Sequence, residues 1–349
     1  MAPASAKEWF EKGLAFFEAK QYKEAIGAYE QAIELQPALG EAWTNKGSAL
    51  AALERYDEAI QAYDKAILVN PFLIEALLNK GIILSNLGRY PEALQMLDQA
   101  ASLNPKDRDI LLQRAIALHK SGKLDEAIKS YEETVKIAPD YAPAWNNKGV
   151  VQYELNRYGD AVAAFDEAFK LEPEYFLAVH NKGNAFYDWG KYEQAIKAYD
   201  EVLKINPDYI ESLLGKGNAL CELARFNEAL TVFDEALKIS PDNAFVWFAK
   251  GCAFMKAGNY QDAMRPLIRA TEIDPEFEEA WFTKGEIFAS HNRHSEAVQA
   301  YRKVIKINPA FVKAWRRLSS SLDKLGRHPE SKEALQKASE LESGKTTIE

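Results

Sequence analysis

This 349-residue sequence predicts an all-α solenoid of stacked helical hairpins. Aligned on itself at a spacing of thirty-four residues, the chain gives ten repeats from Ala6 to Lys345 with no insertion or deletion. Each repeat holds two stretches of helical apolar periodicity around a short turn, and nine of the ten close on a proline. A fixed period of this length marks a chain whose repeats are buried by their neighbours and not by one common core.

The repeats begin at residues 6, 40, 74, 108, 142, 176, 210, 244, 278 and 312, after a lead-in of 1–5 and before a tail of 346–349. Ser5 and Glu8 have the spacing of a capping box, so the first helix is expected to start at Ala6. The turn between the helices carries Gly88, Gly122, Gly190, Gly258 and Gly326, the residue that most easily takes a left-handed helix end. At the eighth place stand Gly13, Gly47, Gly81, Gly149, Gly183, Gly217, Gly251 and Gly285. A mid-helix glycine costs about 1 kcal/mol relative to alanine, so its recurrence predicts close helix packing.

Alanine at the twentieth place, from Ala25 to Ala297, is expected to face that glycine. Tyr29, Tyr63, Leu97, Tyr131, Phe165 and their equivalents at the twenty-fourth place are read as core residues filling the remaining space. Prolines from Pro37 to Pro309 follow the second helix, which they cannot continue. Pro266, by contrast, lies inside the second helix of repeat eight, where a kink is expected at a cost of about 3 kcal/mol. Repeat ten has Ser343 in place of the closing proline and a polar second helix, which suits a terminal cap.

With Trp145, Gly149, Ala161, Phe165, Ala168 and Pro173 at these offsets, the chain resembles tetratricopeptide repeat (TPR) arrays over nearly its whole length. The resemblance implies a right-handed superhelix whose first helices line a concave groove, and a role as a protein-binding scaffold. One departure is systematic: the residue before the glycine, which the family usually fills with leucine, is a cation, as in Lys46, Lys80, Arg114, Lys148, Lys216 and Lys250. A half-buried cation needs a partner, and the acid at the twenty-fifth place (Glu30, Asp64, Asp98, Glu132, Asp200, Asp234) supplies one. Pairing within a repeat would set Lys284 against Arg302, so the sequence favours pairing with the next repeat's cation and leaves Lys284 unmatched. Lysines snorkelling to solvent over an apolar stem are the alternative.

The family geometry turns the sixth place, Asn45, Asn79, Gln113, Asn147 and Asn181, toward the groove, with Asn184 and Asn218 at the ninth. Carboxamides both donate and accept, so such a row can hold an extended backbone without reading its sequence, similar to the asparagine ladder of O-linked N-acetylglucosamine transferases. Solvation and local capping explain the same residues equally. Phe245, Phe248, Cys252, Met255 and Phe282 compose an apolar lining farther on, or pack between first helices. Lys313, Arg316 and Arg317 form a basic cluster suited to a carboxylate. The dicarboxylate clamp of chaperone-binding TPR domains finds no matching run.

Composition narrows the function classes. A net charge of −9 argues against nucleic acid, and no stretch approaches the ~20 apolar residues of a membrane span. The first residues have no signal-peptide character and Cys221 and Cys252 are the only cysteines, so a cytoplasmic protein with free thiols is expected. No metal-binding His-Glu-x-x-His, nucleophile elbow or cofactor motif occurs; Gly344-Lys345-Thr346 lacks the upstream glycine of a phosphate loop. His291 and His294 fall at a turn and read as surface residues. The expectation is a non-catalytic scaffold that binds an extended or helical peptide and takes no cofactor. The alternatives are a TPR protein that self-assembles into a homo-oligomer, or the TPR portion of a longer, possibly enzymatic, protein.

Overall fold

The computed structural model describes residues 5–343, and these contain helices and turns only. The lead-in residues 1–4 and residues 344–349, with the Gly344-Lys345-Thr346 run and the tail, lie outside the described residues. The chain divides into two compact units, 1–178 and 179–349.

The first unit carries α1 (Ala6–Glu18), α2 (Tyr22–Leu35), α3 (Gly40–Ala52), α4 (Tyr56–Val69) and α5 (Ile74–Asn86). It continues with α6 (Tyr90–Leu103), α7 (Arg108–Lys120), α8 (Leu124–Ile137), α9 (Ala142–Glu154) and α10 (Tyr158–Leu171). The division falls in the first turn of α11 (Phe176–Asp188), which opens the second series. There follow α12 (Tyr192–Ile205), α13 (Ile210–Glu222), α14 (Phe226–Ile239), α15 (Ala244–Lys256) and α16 (Tyr260–Ile273). The last four are α17 (Glu278–Ser290), α18 (His294–Ile307), α19 (Val312–Lys324) and α20 (His328–Glu342). They form tandem antiparallel pairs.

Local chemistry sets the ends. Glu8 N–H donates to Ser5 Oγ while Ser5 N–H donates to Glu8 Oε2, the reciprocal box that starts α1 at Ala6. Every turn within a pair has a left-handed residue at the fifteenth place, as Gly88 does at φ 74°. Five repeats fill it without glycine, as Ala224 does at φ 56°. The α16 helix runs unbroken through the buried Pro266.

Packing within a pair is tighter than small residues facing each other. A Cβ built on Gly149 would stand 2.7 Å from the Phe165 ring, and one on Gly47 would stand 2.7 Å from Tyr63. The twenty-fourth-place side chain therefore lies directly on the glycine, and that contact is why the eighth place stays small. In repeat ten Ser319 and Ser331 stand at the eighth and twentieth places, and the Ser331 hydroxyl donates to the Ser319 carbonyl at 2.9 Å, which satisfies its buried polarity.

Two links join successive repeats. Trp145 Nε1 donates to the Pro139 carbonyl at 3.0 Å, and Trp43, Trp247, Trp281 and Trp315 do the same to Pro37, Pro241, Pro275 and Pro309. The closing proline thus ends a helix and offers its carbonyl to the next repeat. The second link is the ion-pair ladder: Lys46–Glu30 at 2.8 Å, Lys80–Asp64 at 2.6 Å, Arg114–Asp98 at 2.5 Å and Lys148–Glu132 at 3.9 Å in the first unit. Lys216–Asp200 at 2.7 Å and Lys250–Asp234 continue it in the second. Each pairing is cross-repeat, and several of these lysines also stand over the indole of their own helix, as Lys148 does over Trp145 at 5.2 Å.

Candidate functional site

In α13 and α15 the surface of the first helices opens into a pocket of about 320 Å³ lined by Leu214, Asn218, Phe245, Phe248, Ala249 and Cys252. Phe245 is 61 % exposed, and both it and Phe248 lean on the Phe277 ring with centroids 5.0 Å apart. Asn218 makes no side-chain hydrogen bond among the described residues, so its amide is available to a ligand. Lys256 and Glu222 close the rim as an ion pair at 2.5 Å. Burial pushes the thiols of Cys221 and Cys252 up to about 11, so neither supplies a thiolate near neutral pH. The chemistry available is a mostly apolar socket beside one carboxamide and the Lys256–Glu222 ion pair at its rim.

Asn184 occupies the same place in its own repeat and has a different use. Its Oδ1 accepts from Tyr199 OH at 2.7 Å and its Nδ2 donates to His180 Nε2 at 3.2 Å. The difference follows a rule running through the repeats: a tyrosine hydroxyl at the twenty-fourth place is met by the residue at the ninth. Ser48 lies 3.1 Å from Tyr63 OH, and Tyr301 OH donates to Glu286 at 2.5 Å. Where the ninth residue is Leu14 or Ile116, the buried hydroxyls of Tyr29 and Tyr131 have no partner. Repeat seven reverses the mismatch, setting Asn218 against Phe233, and this leaves the amide unspent.

The sixth-place amides are half-buried. Asn45 donates to the Glu41 carbonyl, Asn79 to Ser48 Oγ at 3.3 Å, and Asn147 accepts from Asn146 at 3.2 Å. Gln113 makes no side-chain hydrogen bond among the described residues; Asn181 is engaged. Met255 packs with Phe248 and Phe254 against Leu267 and Ile287, and Phe282 against Tyr301 and Phe311, so both serve helix packing. The basic cluster is internally matched. Arg316 forks onto Glu342 and Arg317 reaches Glu286 at 3.2 Å, leaving Lys313 exposed without an ion pair among the described residues.

Residues 10–70, 78–142 and 142–175 match the tetratricopeptide repeat, and residues 175–348 match the C-terminal TPR domain of cilia and flagella-associated protein 70. The chain is a tetratricopeptide repeat array. A TPR protein of Parabacteroides merdae superposes with TM-score 0.58 at 17 % identity, over 71 % of this chain and 98 % of its own. Yeast Tom70 does so with TM-score 0.52 at 16 % identity, over 96 % and 85 %. Both likenesses are of fold. MamA is 26 % identical over 48 % of this chain and 97 % of its own, with TM-score 0.43. No curated protein matches the sequence.

Of the residues around a second opening in the first unit, the TPR pattern singled out only Asn45. Phe10, Leu14, Thr44, Asn45, Phe72 and Ile74 line a pocket of about 490 Å³ whose polar lining includes Glu41 and Glu75. Phe72, 71 % exposed in the turn before α5, has no fixed role in the repeat pattern, and a large exposed aromatic in a turn was the available signal. Among the described residues no helix is long and apolar enough to cross a membrane.

Proposed function

We propose that this TPR array is a non-catalytic protein-interaction scaffold that seats an extended or helical peptide segment on its first helices. The observation that carries the reading is the unspent Asn218 amide beside the exposed Phe245 ring, in a mostly apolar socket rimmed by the Lys256–Glu222 ion pair. An apolar side chain would fill the socket while Asn218 holds the backbone beside it, the division between anchor and orientation that peptide sites use. The sixth-place amides Asn45, Asn79, Gln113, Asn147 and Asn181 and the exposed Lys313 are further contacts in this reading; Arg316 and Arg317 join only by releasing Glu342 and Glu286. Cysteines held as free thiols accord with a cytoplasmic setting.

Selection of displayed random peptides against the full chain tests this. Peptides enriched on the wild type are expected to be lost from an Asn218→Ala/Phe245→Ser variant that keeps its helical circular dichroism; retention would remove the pocket from the function. Self-association is the second reading, favoured by Leu68 at 76 % exposed. A mass that rises with concentration, and returns to the monomer in Leu68→Ser, would support it.

A further inference from the structure

The pocket in the first unit carries two carboxylates that no cation among the described residues answers. Glu41 and Glu75 are exposed, each in the first turn of its helix, and neither forms an ion pair among the described residues. Their position at helix N-termini accounts for their stability there. It does not account for the surface they share with Phe10, Leu14 and the exposed Phe72. Elsewhere on the first helices of this unit, an acid at the same place is used internally: Asp109 accepts from Tyr141 OH at 3.0 Å.

A neighbour of the lining is short of a polar partner as well. Tyr29 OH is buried without a hydrogen bond. Its repeat equivalent Tyr63 lies 3.1 Å from Ser48, which also accepts from Asn79. The residues in the places of Ser48 and Asn79 are here Leu14 and Asn45, and both line the pocket. Phe10, a third lining residue, packs on the Tyr29 ring with centroids 6.0 Å apart. Glu75 lies near enough, with Glu18, to add to the burial that pushes the Tyr29 hydroxyl up to about 12. Asn45 has turned away to the Glu41 carbonyl, so its amide is free to serve Tyr29 or an incoming backbone at the loss of one exposed bond.

We propose that this pocket seats a partner segment presenting a lysine or arginine beside an aliphatic or aromatic side chain. Glu41 and Glu75 hold the cation; Phe10, Leu14 and Phe72 cover the apolar neighbour. Charge complementarity selects this occupant, since the pocket lining contains two carboxylates and no cation. The inference shares with the proposed function the idea of peptide binding, but uses a different pocket, and either can fail alone.

The test is panning of displayed random octapeptides against the full chain in four forms: wild type, Glu41→Gln/Glu75→Gln, Glu41→Lys/Glu75→Lys, and Asn218→Ala/Phe245→Ser. The wild type is expected to enrich peptides with Lys or Arg next to Leu, Ile or Phe. Fluorescence anisotropy of an enriched peptide should show at least tenfold weaker binding to the glutamine pair, and unchanged binding to the Asn218/Phe245 variant. The lysine pair should enrich Asp or Glu instead. Glu41, Glu75 and Phe245 are exposed and Asn218 is half-buried, and circular dichroism checks each variant's fold. No Lys or Arg preference, equal affinity for the glutamine pair, or no enrichment overturns the inference. So does a wild-type mass that rises with concentration and falls in Phe72→Ser, which would make a second copy the occupant. Peptides lost only from the Asn218/Phe245 variant would overturn this inference and leave the proposed function standing.

Discussion

Lys284 Nζ donates to Thr271 Oγ1 at 3.0 Å and stands 3.9 Å from the Trp281 ring centroid, buried where its equivalents meet a carboxylate. The twenty-fifth place of the preceding repeat is Ile268, 42 % exposed, and no ion pair forms with Lys284 among the described residues. Burial holds the Lys284 ammonium below its ordinary 10.5, so the folded state carries a charge it stabilises poorly. The sign follows: at neutral pH the charged form carries the whole penalty, and this fades as pH rises from the folded pKa toward 10.5. Ile268→Asp should therefore raise stability by about 0.5–1 kcal/mol at pH 7 by completing the ladder. Lys284→Met should be neutral or stabilising at pH 7, with its advantage shrinking at high pH. Urea midpoints at pH 7 and 10 measure both; a loss of stability in Ile268→Asp would show that the acid does not reach Lys284.

The two classes of buried tyrosine should respond oppositely to loss of the hydroxyl. Tyr131→Phe removes an unpaired buried donor and is expected to hold or gain up to about 1 kcal/mol. Tyr199→Phe leaves Asn184 Oδ1 without its donor and should cost about 1–2 kcal/mol. Equal losses in thermal melts of the two variants would mean that Tyr131 OH is bonded in solution.

Ala224 holds the left-handed turn position that Gly190 holds in the preceding repeat. Ala224→Gly should stabilise by about 0.5–1 kcal/mol and Gly190→Ala should destabilise by about 1 kcal/mol, because a Cβ is strained at this φ. Hydrogen exchange of the flanking helix ends would localise the change. A loss in Ala224→Gly would show that unfolded-chain entropy outweighs the strain.

His180 gives the chain a pH response. Asn184 Oδ1 accepts from Tyr199, so Asn184 presents Nδ2 to His180 Nε2, which must then be unprotonated, while Nδ1–H faces Ser212 Oγ at 2.9 Å. Desolvation lowers the imidazole below its ordinary 6.5, and Glu211 only partly opposes this. Stability from this site is present above pH 6.5 and is lost as pH falls toward the folded pKa. A His180→Gln variant should lose less stability than wild type between pH 7 and 5. An imidazole titrating above 6.5 by NMR would contradict the desolvated, neutral His180.

The proline carbonyls can be tested at Trp145. Trp145→Phe keeps most of the apolar surface and removes the bond to Pro139 O, so a cost of about 1 kcal/mol is expected. No change in the urea midpoint would mean that water replaces the indole.

Much of this was legible in order of repeats. The capping box at Ser5 came from spacing alone, because a helix end depends on a short, fixed offset; the cross-repeat pairing of Asp64 with Lys80 came from the late repeats, where pairing within a repeat would have set Lys284 against Arg302. Asn184 and Asn218 share a place in the repeat and looked alike. Their neighbours at the twenty-fourth place, Tyr199 and Phe233, separate them, and that correlation was present in the sequence for anyone comparing the two columns. Arg316 looked free because Glu342 is 26 residues away, an offset outside any helical rule; Arg317 reaches Glu286 at the sixth-to-ninth-place offset of 31 residues that also joins Asn79 to Ser48.

The sequence by itself determined the helices, their pairing and the ladder between repeats, because each is a relationship repeated at one period and stabilised by near neighbours. Tertiary structure decided which polar groups remain for a partner. Whether an amide or carboxylate is spent depends on what the fold brings within about 3 Å of it, and residues with identical places in their repeats meet different surroundings. Asn218, Glu41 and Glu75 stand open for that reason, while Asn184 and Asp109 do not.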